Sequence, residues 1–325
     1  MIFHWGILGL GKIARKFAED LKTIEDAKLV AVGSRSQERA TAFAADFGTE
    51  YAAGSYEALF NGPRVDAVYV ATPHVSHLEL VELCLENGVA VLCEKPLGLN
   101  YTQVEEMVGL AREKQVFLME ALWSRFTPTT AKVLELIEAG TIGEIEGLRA
   151  DFGFRAGPGA AKRLFDPALG GGSLLDIGIY PIWLNQLLLG EPEEITVSAR
   201  LDENGIDREI HVSLRNREGK LGHAFSTLYG RTKTEALIHG TKADLHWHTR
   251  FHEPSNFSIL REDDSPENYF FERNANGYNY EAKAVMADVR AGRTENALWS
   301  LDDSLILHRT LTKIRELAGI RYPGE

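Results

Sequence analysis

The chain has 325 residues, a formal net charge of −12, and is 44% hydrophobic and 25% charged; a chain of this length is expected to divide into two domains. The acidic balance excludes general binding to nucleic acid or to an anionic membrane, since both need a positive surface. No uncharged apolar stretch approaches the roughly 18 residues of a membrane span, and the first residues do not read as a signal peptide, so a cytoplasmic protein is expected.

"FHWGILGLG" predicts a strand ending in glycines, and "KIARKFAEDLKTI" predicts a helix with Ile13, Phe17 and Leu21 on one face. "AKLVAVGSR" is a second strand; "SQERATAFAADFG" is a helix capped by Ser36 and stopped at Gly48. "VDAVYVAT" and "VAVLCEK" are further strands, separated by the helix in "SHLELVELCLENG". A helix near "YTQVEEMVGLAREK" then leads into "QVFLMEAL". Cys84 and Cys93 both lie in apolar segments and read as reduced core residues. Continuous apolar strands between helices imply a parallel, doubly wound sheet covered on both faces, and residues 1–122 are assigned to it.

After "ALWSRFTP" the rhythm changes. A helix in "TTAKVLELIEAG" precedes the strand "IEGLRADFGF" and a Gly-, Ala- and Pro-rich loop from Gly157 to Gly172. The pieces "EITVSARL", "REIHVSLRN", "LGHAFSTLYG" and "TEALIHG" alternate between polar and apolar residues, which predicts a large, mostly antiparallel open sheet. Helices in "YEAKAVMADVRAG" and "SLDDSLILHRTLTKIRELAG" close an α+β domain assigned to residues 123–325.

Gly9, Gly11 and Ala14 form a G-x-G-x-x-A pattern between the first strand and helix. The first glycine permits the turn, the second lets backbone approach a pyrophosphate, and the alanine keeps helix and sheet close. Free N–H groups of the opening turn, which begins at Lys12 and Ile13, would face the phosphates. The second strand ends in "VGSRSQER" with no carboxylate before Glu38. Ser34, Arg35 and Arg39 suit a 2′-phosphate, so NADP is expected over NAD, with NAD still usable; a solvated basic turn is the plainer alternative. Thr72, Pro73, Glu94 and Lys95, at the ends of the following strands, are assigned to the same cofactor. In "VLCEKPLGLN" an apolar run ends in Glu94 and Lys95, and a lysine there is either salt-bridged or used.

Together "GILGLGKIA", "ATPHVSH", "CEKP" and "GGGSLLDIGIYP" resemble the Gfo/Idh/MocA oxidoreductase family. "EALWSRFTP" and "RLFDPALGGGSLLDIGIYP" are most similar to its dimeric dihydrodiol dehydrogenase and NADP-dependent D-xylose dehydrogenase branch. The resemblance spans essentially the whole chain. It implies that Lys95 orients substrate and takes part in proton transfer, with Pro96 often cis, and that His77 lies near nicotinamide and substrate. It places the family's D-x-G-x-H element on Asp176, Gly178 and Tyr180. Tyr180 departs from the histidine of the sugar dehydrogenases and matches the dihydrodiol branch, where tyrosine with lysine supplies the acid and base.

The residues carry a reading of their own. Asp176 and Tyr180 stand four apart, so both can lie along one helical face. Gly178 leaves room for a ring or substrate, and Pro181 is expected to kink the element. A phenol, with an ordinary pKa of about 10, needs a nearby ammonium to act as a base at neutrality. Tyr180 taken alone is equally an ordinary buried tyrosine. Trp123, Arg125 and Phe154 are assigned to substrate, although a packed hinge accounts for the first two as well. Arg155 and Arg163 flank the loop and are weaker candidates for polar substrate. "HWHTRFH" has spacing that could bind zinc, but a sheet surface explains it better, and no metal is assigned.

The expected function is hydride transfer between nicotinamide and an alcohol or carbonyl of a sugar, cyclic trans-diol or related small molecule. A sugar isomerase or hydrolase using nicotinamide transiently, and a nucleotide-sensing regulator, are the rivals. The C-terminal sheet is expected to pair two subunits in a homodimer, as the resemblance implies.

Overall fold

In the computed structural model, which describes residues 1–157, 162–262, 265–323 and 325, the chain forms two compact units. The first comprises Met1–Phe126 with Arg273–Leu305, and the second Thr127–Glu272 with Ile306–Glu325.

The first unit is built on β1 (Phe3–Leu8), β2 (Ala27–Gly33), β3 (Tyr51–Ala53), β4 (Ala67–Val70), β5 (Ala90–Glu94) and β6 (Leu118–Ala121). Their order is β3-β2-β1-β4-β5-β6 and all pairings are parallel. Between them run α1 (Lys12–Leu21), α2 (Gln37–Phe47), α3 (His77–Glu86) and α4 (Tyr101–Lys114). The strand order reverses direction between β1 and β4, which opens the crevice where dinucleotides sit in doubly wound sheets. Trp5, Ile7, Val68, Tyr69, Val91 and Leu92 are fully buried, as strands with both faces covered require. The Ser36 hydroxyl accepts the Arg39 N–H and Gly48 adopts the left-handed conformation, so α2 begins and ends as its sequence dictates. Cys84 and Cys93 are free, buried thiols, and burial pushes both up.

A continuous division at residue 122 differs from the observed units, because Arg273–Leu305 returns to the first one. Three buried contacts draw it back. Asp20 on α1 accepts the N–H groups of Gly277 and Tyr278, each at 2.8 Å, at the start of the helix Tyr278–Arg290. Trp123 stacks on Tyr278 with ring centroids 4.7 Å apart, and Glu120 accepts the Ser304 hydroxyl at 2.8 Å.

The second unit opens with α5 (Pro128–Glu138), capped by Thr127, and β7 (Ile145–Gly153). A π-helical turn, Leu174–Gly178, runs into α6 (Ile179–Leu189). Then follow β8 (Pro192–Leu201), β9 (Asp207–Asn216), β10 (Leu221–Thr227), β11 (Ala236–Gly240), β12 (Asp244–Trp247), β13 (Phe257–Leu260) and β14 (Glu267–Tyr269). The sheet order is β14-β13-β12-β11-β7-β10-β9-β8, antiparallel throughout except for β7 with β10. Along β9 and β10, Ile210, Val212, Leu214 and Ala224 point inward, while His211 and His223 are exposed. The last helices are α7 (Tyr278–Arg290) and α8 (Leu301–Ala318). The strands β13 and β14 went unread in the sequence, while β12 takes up the first part of "HWHTRFH", read there as a sheet surface. Part of the expected Gly157–Gly172 loop, residues 158–161, lies outside the described residues. Among the described residues no helix is long and apolar enough to cross a membrane.

Candidate active site

Gly9 ends the first strand in a left-handed conformation, φ +87°. A Cβ there would fall 2.6 Å from Thr72 Cγ2 and 2.8 Å from the Ala71 carbonyl, so only glycine fits the turn. Gly11 is the residue before α1, and a Cβ built on it meets nothing within 4 Å. No side chain caps α1, in contrast to α2 and α4, whose N-termini are closed by Ser36 and Asn100. Lys12 is exposed, Ile13 half-buried and Ala14 fully buried against the sheet. Beside Gly9 the buried Thr72 hydroxyl has no hydrogen-bond partner among the described residues. Open space over a glycine, an uncapped helix start and an orphaned hydroxyl together fit a dinucleotide's pyrophosphate. Pro73 is half-buried and leads into the short helical turn His74–Ser76.

At the end of β2 the Ser34 hydroxyl accepts the Ser36 N–H at 3.3 Å. Arg35 and Arg39 are both exposed, and neither forms an ion pair among the described residues.

The loop after β5 is tied down on several sides. The Lys95–Pro96 peptide is cis, as the resemblance implied, and Lys95 is half-buried. The Tyr69 hydroxyl donates to Glu94 Oε1, and the buried Glu120 accepts the Leu97 N–H at 2.9 Å. Burial, then the Glu94 charge, raises Tyr69 well above the usual phenol range. On α7, Glu281 is fully buried with neither carboxyl oxygen hydrogen-bonded among the described residues. Burial, followed by the Glu94 and Asp20 charges, pushes it well above the usual carboxylate range.

His77 needs correction. It is fully buried, with Nδ1 2.9 Å from the Pro96 carbonyl and Nε2 3.0 Å from the Thr72 carbonyl. Burial pulls its pKa down against the opposing effect of those carbonyls. The ring is closed from solvent with a backbone carbonyl at each nitrogen, one of them accepting the single N–H of the neutral form, and it lies between the lysine loop and the turn after β4. Trp123 is 5% exposed and stacked on Tyr278 at 18°. Arg125 is half-buried, its Nε donating to the Leu298 carbonyl at 2.9 Å.

In the second unit, Asp176 lies in the π-helical turn and Tyr180 in the first turn of α6. Pro181 follows two residues into α6, directly after the π-helical turn, and brings no N–H to the widened ladder there. Gly178 is not an opening for substrate: a Cβ there would meet Ser226 Oγ at 2.7 Å, so it brings the turn close to β10. Arg163 donates to Asp176 Oδ1 at 2.7 Å, which gives this candidate for substrate a partner within the protein. Arg155 is exposed.

Tyr180 is 6% exposed, with its ring centroid 4.7 Å from His252 and 5.8 Å from Phe152. His252 in turn stacks on Phe152 at 4.4 Å. The aromatic neighbour of Tyr180 is therefore Phe152; Phe154 is half-buried two residues later, its N–H donating to the Thr227 carbonyl at 3.1 Å. Sequence reading missed His252, which looked like one histidine in a surface run. Its only signal would have been its distance from His246 and His248 along the chain, and that signal does not point to Tyr180. Among the described residues no group of three or more His, Cys, Asp or Glu could hold a metal ion.

Residues 3–122 match the oxidoreductase family with an NAD-binding Rossmann fold (GFO/IDH/MocA), and residues 130–246 match the GFO/IDH/MocA C-terminal domain. The chain is 35% identical to the trans-1,2-dihydrobenzene-1,2-diol dehydrogenase of Mus musculus, over 100% of this chain and 99% of that one. It is 33% identical to the enzyme of the same name from Xenopus tropicalis, over 99% and 100%. Among solved structures it is similar to KijD10, a 3-ketoreductase from Actinomadura kijaniata in complex with NADP and TDP-benzene. That similarity has a TM-score of 0.88 at 28% identity and covers 97% of this chain and 98% of the other. An uncapped glycine turn at the crevice of a doubly wound sheet, a lysine loop at the end of β5 and matches across both parts of the chain lead to one conclusion: this protein belongs to the GFO/IDH/MocA oxidoreductase family, with an NAD-binding Rossmann fold at its N-terminal end.

Proposed function

We propose that the chain is an NADP-preferring dehydrogenase or reductase acting on an alcohol/carbonyl pair of a cyclic trans-diol, a sugar or a related small molecule. The observation that carries this reading is similarity to trans-1,2-dihydrobenzene-1,2-diol dehydrogenases along essentially the full chain, both units included. The NADP-bound ketoreductase, of similar fold, supports the cofactor and a carbonyl substrate. An absorbance screen at the nicotinamide band, with NADP and NAD against trans-1,2-dihydrobenzene-1,2-diol, aldoses and dicarbonyls, tests it. Turnover of the diol with NADP is expected; nucleotide binding without turnover of any of these would reject the redox reading in favour of a sensor.

Gly9, Gly11, Lys12, Ile13, Ala14, Thr72 and Pro73 would hold the pyrophosphate side of the nucleotide, and Glu94 and Lys95 its nicotinamide side. When bound, the nucleotide supplies or accepts the hydride. The chain's own work is to orient the substrate and move a proton. In oxidation, Tyr180 takes the alcohol proton as phenolate, and the Lys95 ammonium stabilises that anion. In reduction the Tyr180 hydroxyl returns a proton to the carbonyl oxygen. Asp176, steadied by Arg163, is assigned to a substrate hydroxyl.

Cofactor choice is assigned to the end of β2. Arg35 and Arg39 are exposed there beside the Ser34 hydroxyl, and a guanidinium distinguishes a 2′-phosphate from a ribose hydroxyl. Arg35→Ala is expected to weaken NADP by about 1.5–3 kcal/mol and to leave NAD nearly unchanged. Titration of intrinsic fluorescence with each nucleotide checks this, and equal losses for both would remove Arg35 from the role.

We assign the outward face of the eight-stranded sheet to a homodimer. It carries a concavity of about 710 Å³ lined by Arg149, Thr196, His211, His223, Phe225 and Leu237 among others, and by none of the residues given chemical roles. A stable pair should bury more than about 1,000 Å² there. Light scattering on a dilution series should give twice the chain mass; a value staying at 36.1 kDa at micromolar concentration would refute the dimer. A cytoplasmic location remains part of the proposal.

A further inference from the structure

Asp207, at the start of β9, is fully buried and has no part in the chemistry described so far. Its Oδ2 accepts the Ser173 hydroxyl at 2.8 Å and the Leu174 N–H at 2.6 Å. Ser173 Oγ also lies 3.0 Å from Ser226 Oγ on β10. Leu174 opens the π-helical turn, so Asp207 takes a backbone donor that has no partner inside that turn. One residue before Ser173, Gly172 has φ +125°, and a Cβ there would fall 2.1 Å from Asp207 Oδ1. Only glycine lets the chain pass the carboxylate this closely. The preceding carbonyl, of Gly171, accepts the Tyr322 hydroxyl at 2.8 Å. The approach to the turn is therefore fixed from both sides.

Asp207 Oδ1 has no hydrogen-bond partner among the described residues. A buried carboxylate with one oxygen unpartnered is costly, and a neutral acceptor of the same shape would cost less. What the charge adds is strength in the two bonds at the head of the turn. Leu174 lies two residues before Asp176 and six before Tyr180. A small change in how the turn leaves the glycine loop is carried to both.

We propose that Asp207 is a positioning residue for the reaction, fixing through Ser173 and Leu174 the turn from which Asp176 and Tyr180 reach the substrate. The inference rests on the assignment of those two residues to the substrate site.

Burial raises the Asp207 carboxyl from 3.8 to about 6. Tyr322 is pushed above the usual phenol range, by burial first and then by Asp207. Beyond it, Arg315 is paired with Glu325, its Nη1 donating to Oε1 at 2.9 Å. Arg208, next along β9, is paired with Asp202 at 3.4 Å. Protonation of Asp207 weakens the two bonds, so turnover should fall as pH drops through about 6. Stability should move the other way. A carboxyl raised on folding favours the folded state below 3.8 and loses that contribution as pH rises through about 6.

The test compares Asp207→Asn, Ser173→Ala and Tyr180→Phe with the unaltered protein, using NADP and trans-1,2-dihydrobenzene-1,2-diol from about pH 5 to 8, a window around the Asp207 transition. Asp207→Asn keeps one acceptor oxygen and the side-chain shape but never carries the charge. It is expected to lower kcat about tenfold at the alkaline end, to lose the acid limb near 6 and to leave NADP affinity unchanged. Its melting temperature should gain on that of the unaltered protein as pH rises, because only the unaltered protein charges there, and the loss of the acid limb in kcat is what a role in packing alone would not produce. Ser173→Ala should give a smaller fall in kcat and keep the limb. If Asp207→Asn does not fold, an unchanged kcat in Ser173→Ala overturns the proposal. Normal kcat with an intact acid limb in Asp207→Asn, beside an inactive Tyr180→Phe, overturns this proposal alone. Turnover surviving in Tyr180→Phe overturns the site assignment and this inference with it.

Discussion

Lys95→Met and Tyr180→Phe are each expected to lower turnover by about 10²–10⁴-fold while NADP affinity changes little. The reasoning begins with the phenol. With an ordinary pKa of about 10 it is almost wholly protonated at neutrality and a poor base. On the proposed reading an ammonium stabilises the phenolate as it forms, so losing either group should cost nearly the full effect. The double variant should then be little worse than the single ones. Each group sits where a fixed role is affordable. Tyr180 is 6% exposed among Phe152 and His252, and Lys95 is half-buried in a loop held by Glu120 and His77. Tyr180 is assigned to no part of the nucleotide and Lys95 only to its nicotinamide side, so nucleotide titrations separate lost chemistry from lost binding. Near-normal turnover in Tyr180→Phe would move the proton to Lys95 or solvent. His77 is a poor candidate for that proton, because its ring is fully buried between the Pro96 and Thr72 carbonyls.

Features legible in the sequence were those set by local rules. Glycine at a left-handed turn, serine before a helix and apolar runs between helices each follow from the conformation of a few adjacent residues. Gly9, Ser36, Gly48 and the parallel strands came out as those rules require. What was not legible depends on partners far along the chain. Asp20 sits in an amphipathic helix where an acid normally faces water, and its partners are Asn276, Gly277, Tyr278 and Asn279. Nothing near Asp20 announces them, so the return of Arg273–Leu305 to the first unit could not be seen. His77 is a related case. Motif position named it as a neighbour of the ligand, but burial is decided by what packs over a side chain. Asp207 directly precedes the piece "REIHVSLRN", and nothing near it in the chain announces the close passage of Gly172. The glycine turn of the candidate site was thus readable from local rules, while which of the named side chains are packed away required the fold.

Asp20→Ala is expected to destabilise the first unit by about 3–5 kcal/mol, a large effect for one side chain on a helix. Asp20 is 2% exposed and accepts five donors. Oδ2 takes the N–H groups of Gly277 and Tyr278 at 2.8 Å and of Asn279 at 3.2 Å. Oδ1 takes the Asn276 N–H at 2.9 Å and its side-chain amide at 2.8 Å. Gly277 precedes α7 and brings no side chain of its own to cap it, so Asp20 serves as the cap from a different part of the chain. A negative charge at that helix start is further favoured by the helix dipole. Alanine would leave several N–H groups buried without acceptors, each costing about 1–3 kcal/mol, and their sum is limited by local relaxation. Asparagine keeps one acceptor oxygen but turns an amide donor toward the remaining N–H groups, so Asp20→Asn should recover only part of the loss. Urea unfolding followed by tryptophan fluorescence measures the total, with Trp123 stacked on Tyr278 as a nearby reporter. Amide hydrogen exchange gives the location. Protection should fall first at the start of α7, because the intrahelical ladder does not reach those donors. A change in stability below about 0.5 kcal/mol, the level of an ordinary surface substitution, would mean that α7 is held by its apolar face and that the carboxylate merely accompanies it.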